Sequence, residues 1–163
     1  MIVVADTSVL LNLAFLRLDH LLARWFGEVL VPEAVAGEFH RLSMSRGRFA
    51  GLKFPVCCVV KSVPGIPSQI ASSPRLDAGE AEAMALALEY PESVLLLDEV
   101  AARAVAASFS LHVVGTLGLL IRAKNDGFIP QVAPLLRQLM VEGQFRVSPA
   151  LVNATLKRAG ELF

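Results

Sequence analysis

Cysteine is scarce in this chain: two among 163 residues, adjacent at Cys57 and Cys58. Adjacent thiols lack the spacing of a metal-binding C-x-x-C pair and read as buried thiols in a reducing compartment. Long apolar runs are missing too. The best stretches, residues 2–16 and 111–123, are broken by Asp6 and Asn12 and by His112, Thr116 and Arg122. Neither approaches the roughly 20 residues of a spanning helix. The first has no basic segment before it and carries Asp6 in its middle, unlike a secretory signal, so a cytoplasmic location is expected. Charge is sparse at 18% and balanced, 15 bases against 15 acids, so net charge points to no partner. What the chain has is apolar residues, 55% of it. That excludes disorder and suits buried parallel strands or a sticky oligomer face. The length supports one ordinary domain with a core that needs neither disulfide nor structural metal.

The distribution of charge says more than its sum. No acid falls between Glu38 and Asp77, while Arg41, Arg46, Arg48, Lys53, Lys61 and Arg75 lie there. Such a stretch is either a loop kept soluble by its charges or a platform for an anionic ligand beside an acidic site.

Periodicity orders the elements. Residues 2–5 form a β-branched run that predicts a buried strand, followed by helical spacing from Val9 to a stop at Gly27. A strand at residues 29–31 leads through Pro32, in the first turn, to a helix bearing Val35, Glu38, Phe39 and Leu42. Residues 43–55 read as loop and 56–61 as a strand, before a turn-rich linker over residues 64–74. A helix from Leu76 to about Glu89, a strand at residues 94–97, a helix over 100–108, a strand at 111–114 and a helix over 116–125 follow. Two more helices occupy residues 130–142 and 149–162, the latter with Leu151, Val152, Leu156, Ala159 and Leu162 on one side. Alternation of apolar strands with helices predicts a three-layer α/β/α sandwich around a central parallel sheet, with extra C-terminal helices. Residues 1–142 are expected to form the principal domain and residues 143–163 a helical appendage packed on it.

Four carboxylates carry the chemistry. Asp6 and Asp98 end predicted strands, where doubly wound sheets bind ligands, although either could cap the next helix. Glu38 and Glu80 share the apolar stripes of their helices, whereas Glu82 is out of phase and should face water. A buried carboxylate costs several kcal/mol unless something pairs with it. For Glu80 the pairing could be a capping box from Asp77; for Glu38 it could be Arg41. Together the four suit a hard, oxygen-liganded divalent ion, Mg²⁺ or Mn²⁺ rather than Zn²⁺, because His20, His40 and His112 are scattered. Such a cage can activate water against a phosphodiester, with the basic stretch holding the flanking backbone.

These residues resemble the PIN-domain family of metal-dependent ribonucleases, which includes the VapC-type toxins. The resemblance rests on Val3-Val4-Ala5-Asp6-Thr7-Ser8, Val31-Pro32 with Glu38, Gly79-Glu80 and Leu95-Leu96-Leu97-Asp98. More narrowly, Leu76-Asp77-Ala78-Gly79-Glu80 with Leu97-Asp98-Glu99 and Val114-Gly115-Thr116-Leu117-Gly118 is similar to a subfamily of PIN-like proteins from bacteria and archaea. The resemblance spans residues 1–142 and implies a metal-dependent endoribonuclease with Asp6, Glu38, Glu80 and Asp98 as catalytic metal ligands. Thr7, Ser8 and Thr116 would be polar support. It also implies a possible toxin role, with RNA as substrate, a small antitoxin as partner and a homodimer as the assembly. Two departures stand out: the third acid is Glu rather than the commoner Asp, and the place of a further acid is Val100, with Glu99 adjacent as a substitute. Arg41, Arg46, Arg48 and Lys53 are the candidate RNA contacts. A second class of function is a binding or regulatory scaffold with little turnover. A third, a phosphatase with Asp6 as nucleophile, stands behind because Ser8 occupies the position of its usual second Asp.

Overall fold

The computed structural model describes residues 1–161. The chain runs β1 (Val3–Ala5), α1 (Thr7–Phe15), α2 (His20–Phe26), β2 (Val29–Pro32), α3 (Glu33–Met44), β3 (Cys58–Lys61) and α4 (Ser68–Ala71). It continues through α5 (Ala78–Leu88), β4 (Val94–Leu96), α6 (Val100–Ser108), β5 (His112–Val114), α7 (Thr116–Asn125), α8 (Ala133–Val141) and α9 (Pro149–Arg158). All strands are parallel, in the order β3-β2-β1-β4-β5, with Ala5 opposite Leu96. No helix among the described residues is long and apolar enough to cross a membrane.

Strand alternation builds two cores. Val3, Ala5, Val29, Val31 and Leu96 face one side of the sheet, against α1, α2, α3, α7 and α8. Val4, Leu30, Leu95 and Leu97 face the other, against α5 and α6. Burial on both faces explains why these strands read as unbroken apolar runs. The architecture is the expected α/β/α sandwich.

The C-terminal segment joins the first core through Leu156 and Ala159. Its end is fastened by Glu161, whose carboxylate accepts from the backbone N–H of Val132 (2.7 Å) and of Ala133 (2.9 Å) and from Lys124 Nζ (3.1 Å). Lys124 also donates to the Ala159 carbonyl at 2.7 Å. Leu162, expected on the apolar side of the last helix, lies outside the described residues.

Several expectations need correction. The helix predicted from Val9 to Gly27 is broken: Arg17 takes a left-handed backbone (φ 60°), with Leu18 N–H bonded to Leu13 O at 2.8 Å and Arg17 N–H to Ala14 O at 3.0 Å. This closure usually recruits glycine, so an arginine there hid the stop. Pro32 is the N-cap of α3, in an extended conformation, rather than part of its first turn. The linker contains the single turn α4, pinned by buried Ile70. Cys57 and Cys58 are only half-buried. Glu82, expected in water, is half-buried, and its Oε1 accepts from Ala34 N–H at 3.4 Å at the start of α3. Packing of α5 on α3 turns that position inward.

Candidate active site

The strand order reverses between β1 and β4, and a sheet of this kind opens its ligand crevice outside the carboxyl ends of the strands at that point. Asp6 follows β1 directly, its N–H bonded to Leu96 O at 2.9 Å, and Asp98 stands just beyond β4. Sequence pattern thus puts both aspartates at the mouth of the crevice. A cleft of about 900 Å³ opens there, and Asp6, Glu38, Glu80, Asp98, Glu99 and Ser8 all line it.

Asp6 is 5% exposed and makes no side-chain capping bond, so capping does not explain it. Burial, reinforced by the carboxylates of Glu80, Asp77 and Glu38, pushes its pKa up to about 8, against the lowering effect of the Thr7 amide. Among the described residues no base pairs with it.

Asp98 is held more firmly. Its Oδ1 accepts from Thr116 N–H at 2.7 Å, and its Oδ2 accepts from Thr116 Oγ1 at 2.6 Å and Asn12 Nδ2 at 3.0 Å. Burial raises its pKa, while Thr116, Asn12 and the nearby Arg103 pull the other way. Thr116 therefore orients Asp98. Asn12, which interrupts the apolar face of α1, is a site residue that the sequence reading gave no role.

Glu80 and Asp77 form a reciprocal capping box at the start of α5: Glu80 N–H donates to Asp77 Oδ1 (2.7 Å) and Asp77 N–H to Glu80 Oε1 (3.0 Å). The cap and the cleft position coexist, because Glu80 is buried and still lines the cavity. Burial raises the pKa of Glu80, as does the charge of Asp77, against the Asp77 amide. Glu38 is half-buried; burial and Asp77 raise its pKa and Arg41 lowers it. Glu99 is exposed and its side chain accepts from Ala101 N–H at 3.4 Å at the start of α6.

Of the expected basic contacts, only Arg48 lines the cleft; Arg41, Arg46 and Lys53 are exposed outside its lining. Arg103, Arg146 and Arg158 line it instead. Arg103 lies one helical turn past Glu99, a spacing that could have drawn attention. Arg146 and Arg158 carried no local signal, because only the tertiary fold brings residues 143–158 to the cleft.

Gly115 explains part of the close fit. Its backbone (φ −101°) suits any residue, but an added Cβ would stand 2.7 Å from Arg103 Nη1 and 2.9 Å from Asp98 Oδ1. Gly115→Ala is expected to destabilise the protein by about 1–3 kcal/mol through overpacking. Gly37→Ala, in a helix with open space around it, should stabilise by about 0.5–1 kcal/mol. Urea denaturation reads both, and equal signs would refute the assignment of crowding at Gly115.

Among the described residues, no three His, Cys, Asp or Glu side chains stand close enough together to cage a metal ion. The donor set nonetheless fits a hydrated Mg²⁺. That ion dehydrates reluctantly and is commonly held through one or two carboxylates, with water or phosphate completing its shell. Two observations match it. Asp6 is buried among like charges and, among the described residues, has no counter-ion, and the Thr7 Oγ1 and Ser8 Oγ hydroxyls are buried with no hydrogen-bond partner among those residues.

The class these features define is a parallel α/β sandwich with an acidic crevice at the carboxyl ends of its strands. A family model described as PIN domain matches residues 2–161, and the chain belongs to the PIN-domain family, whose fold is of nuclease type. No curated protein matches the chain.

Proposed function

We propose that this protein is a Mg²⁺- or Mn²⁺-dependent endoribonuclease that acts in the cytoplasm on RNA phosphodiester bonds. The observation that carries this reading is Asp6: a buried carboxylate at the switch point, surrounded by Glu38, Asp77 and Glu80 and paired with no base among the described residues. Of Asp6, Glu38, Glu80 and Asp98, one or two would hold the ion directly and the others would meet its shell of water. When bound, it supplies Lewis-acid charge at the phosphoryl oxygens and lowers the pKa of a coordinated water. The chain's own contributions are positional. Thr116 and Asn12 fix the carboxylate plane of Asp98, and Arg103 sets a positive charge beside Asp98. A toxin role, a small antitoxin and a homodimer belong to the same proposal and rest on the family resemblance.

The test is cleavage of an end-labelled RNA with added Mg²⁺ or Mn²⁺, with chelator, and by Glu80→Gln. Glutamine serves a capping box as well as glutamate does, so this substitution keeps the helix start and removes the charge. Cleavage should stop with chelator and fall by about 10²-fold or more in the variant, with a melting temperature no lower than the parent's. Full activity in Glu80→Gln would reduce Glu80 to a helix cap.

A second reading, a PIN scaffold with weak catalysis that binds or regulates, draws on the absence of a ready three-ligand cage among the described residues. It expects RNA binding without turnover and no heat of Mg²⁺ binding in calorimetry.

A further inference from the structure

The cleft has two walls of opposite charge. One carries the carboxylates with Arg103. The other is made by the loop after α3 and by residues 143–158, and it carries Arg48, Arg146 and Arg158. Residues 143–158 contain Arg146, Lys157 and Arg158 and no acid. None of these bases has an ion-pair partner among the described residues, where the ion pairs are Arg122–Asp126 and Lys124–Glu161. Unpaired arginines facing a cleft are donors in search of an anion, and guanidinium groups match phosphate geometry with paired N–H bonds.

The wall is also built rather than trailing. At its near end Gly143 lies so close to α8 that a Cβ would stand 2.8 Å from Leu139 O. Gln144 then turns with a left-handed backbone (φ 55°) and accepts from Arg48 Nη1 at 3.3 Å, tying the two segments together. At its far end Glu161 fastens the chain to the start of α8. Left-handed backbone at a non-glycine residue costs of order 1–3 kcal/mol and persists where the surroundings enforce it.

The aromatics beside the arginines are already used. Phe49 packs edge-on against Phe15 and under Arg48, whose Cζ lies 4.4 Å from the ring centre, and Phe145 packs on the first core. The wall therefore offers charge without free stacking faces. Charge without stacking recognises a backbone rather than bases.

We infer that Arg48, Arg146 and Arg158 form a binding wall for the phosphodiester backbone flanking the cleaved bond, independent of the metal. The inference rests on the nuclease reading for the identity of its ligand. It assigns residues 143–158 a binding role in addition to their packing on the first core.

Binding of a short fluorescein-labelled oligouridylate, followed by anisotropy in EDTA across a salt series, tests it. Each phosphate contact on a single strand adds about 0.7 to the slope of log affinity against log salt. Arg146→Gln and Arg158→Gln should each lower that slope by about 0.7 and weaken binding several-fold. Lysine at either position should restore most of it, and Arg137→Gln, exposed outside the cleft lining, should leave it unchanged. An oligodeoxyribonucleotide of equal length distinguishes the two sources of such a backbone. A loss of slope with both assigns the wall to phosphodiesters in general, and a loss with RNA alone assigns it to RNA. The inference is overturned if the parent binds neither strand, or if both glutamine variants bind with the parental slope. It survives absent cleavage when the arginine variants still lose binding. It fails alone when cleavage is metal-dependent but those variants bind normally.

Discussion

Asp6→Asn should abolish metal-dependent RNA cleavage while making the metal-free protein more stable at alkaline pH. The two effects share one cause. The Asp6 carboxylate is buried, has no positive partner among the described residues and sits among Glu80, Asp77 and Glu38, which raises its pKa from 3.8 to about 8. Around its folded pKa the native state must either keep a proton that the solvent favours removing or carry a buried negative charge. Each unit between folded and unfolded pKa is about 1.4 kcal/mol. Asparagine has the same shape and no charge to desolvate, so the variant should gain roughly 2–5 kcal/mol at about pH 8, fading to nothing at about pH 4. The same exchange removes the ligand on which the ion depends, and cleavage should fall by about 10³-fold or more. Urea denaturation and a cleavage assay on the same preparation decide the matter. A less stable variant at alkaline pH would mean that Asp6 is satisfied by the fold and needs no cation.

Stability bought with function is a known signature of a functional site, and here the sequence showed where to look. Apolar runs ending in Asp6 and Leu97-Asp98 were legible because a strand buried on both faces has no polar position until it leaves the sheet. Helical phase placed Glu38 and Glu80 inward for the same reason. The helix break at Arg17 was not legible, since its left-handed turn is enforced by Leu18 seating in the core rather than by a glycine. Glu82 misled because phase describes one helix alone, whereas its partner Ala34 belongs to another. Asp77 was read only as a cap, although its charge acts on Asp6, Glu38 and Glu80 together. The second wall of the cleft was the least visible part. Arg48 stood out in a run free of acids, but Arg146 and Arg158 reach the site through the packing of α8 and α9, a property of the whole fold that no local pattern encodes.

In the metal-free parent protein, stability should fall as pH rises from about 5 to about 8, and Mg²⁺ should remove most of that fall. The sign follows from proton counting. Asp6 has its folded pKa raised to about 8, and Glu38, Glu80 and Asp98 are raised as well. Between the unfolded and folded values the native state holds more protons than the unfolded chain, so raising the pH favours unfolding, by at most about 1.4 kcal/mol per unit for each proton. Glu161 opposes this trend in a different range. Burial works against its charge, but the Val132 and Ala133 amides and Lys124 win, and its pKa is lowered. Its contribution is present above the unfolded carboxylate value and is lost only in acid, below the window considered. A divalent ion binds the deprotonated carboxylates and releases their protons, so its stabilising effect must grow with pH. Urea denaturation across the window, with Mg²⁺ and with EDTA, should give two curves that converge at the acidic end and diverge at the alkaline end. Parallel curves would place the ion away from these carboxylates, and a metal-free curve that rises with pH would mean that Asp6 is charged and paired in the folded protein.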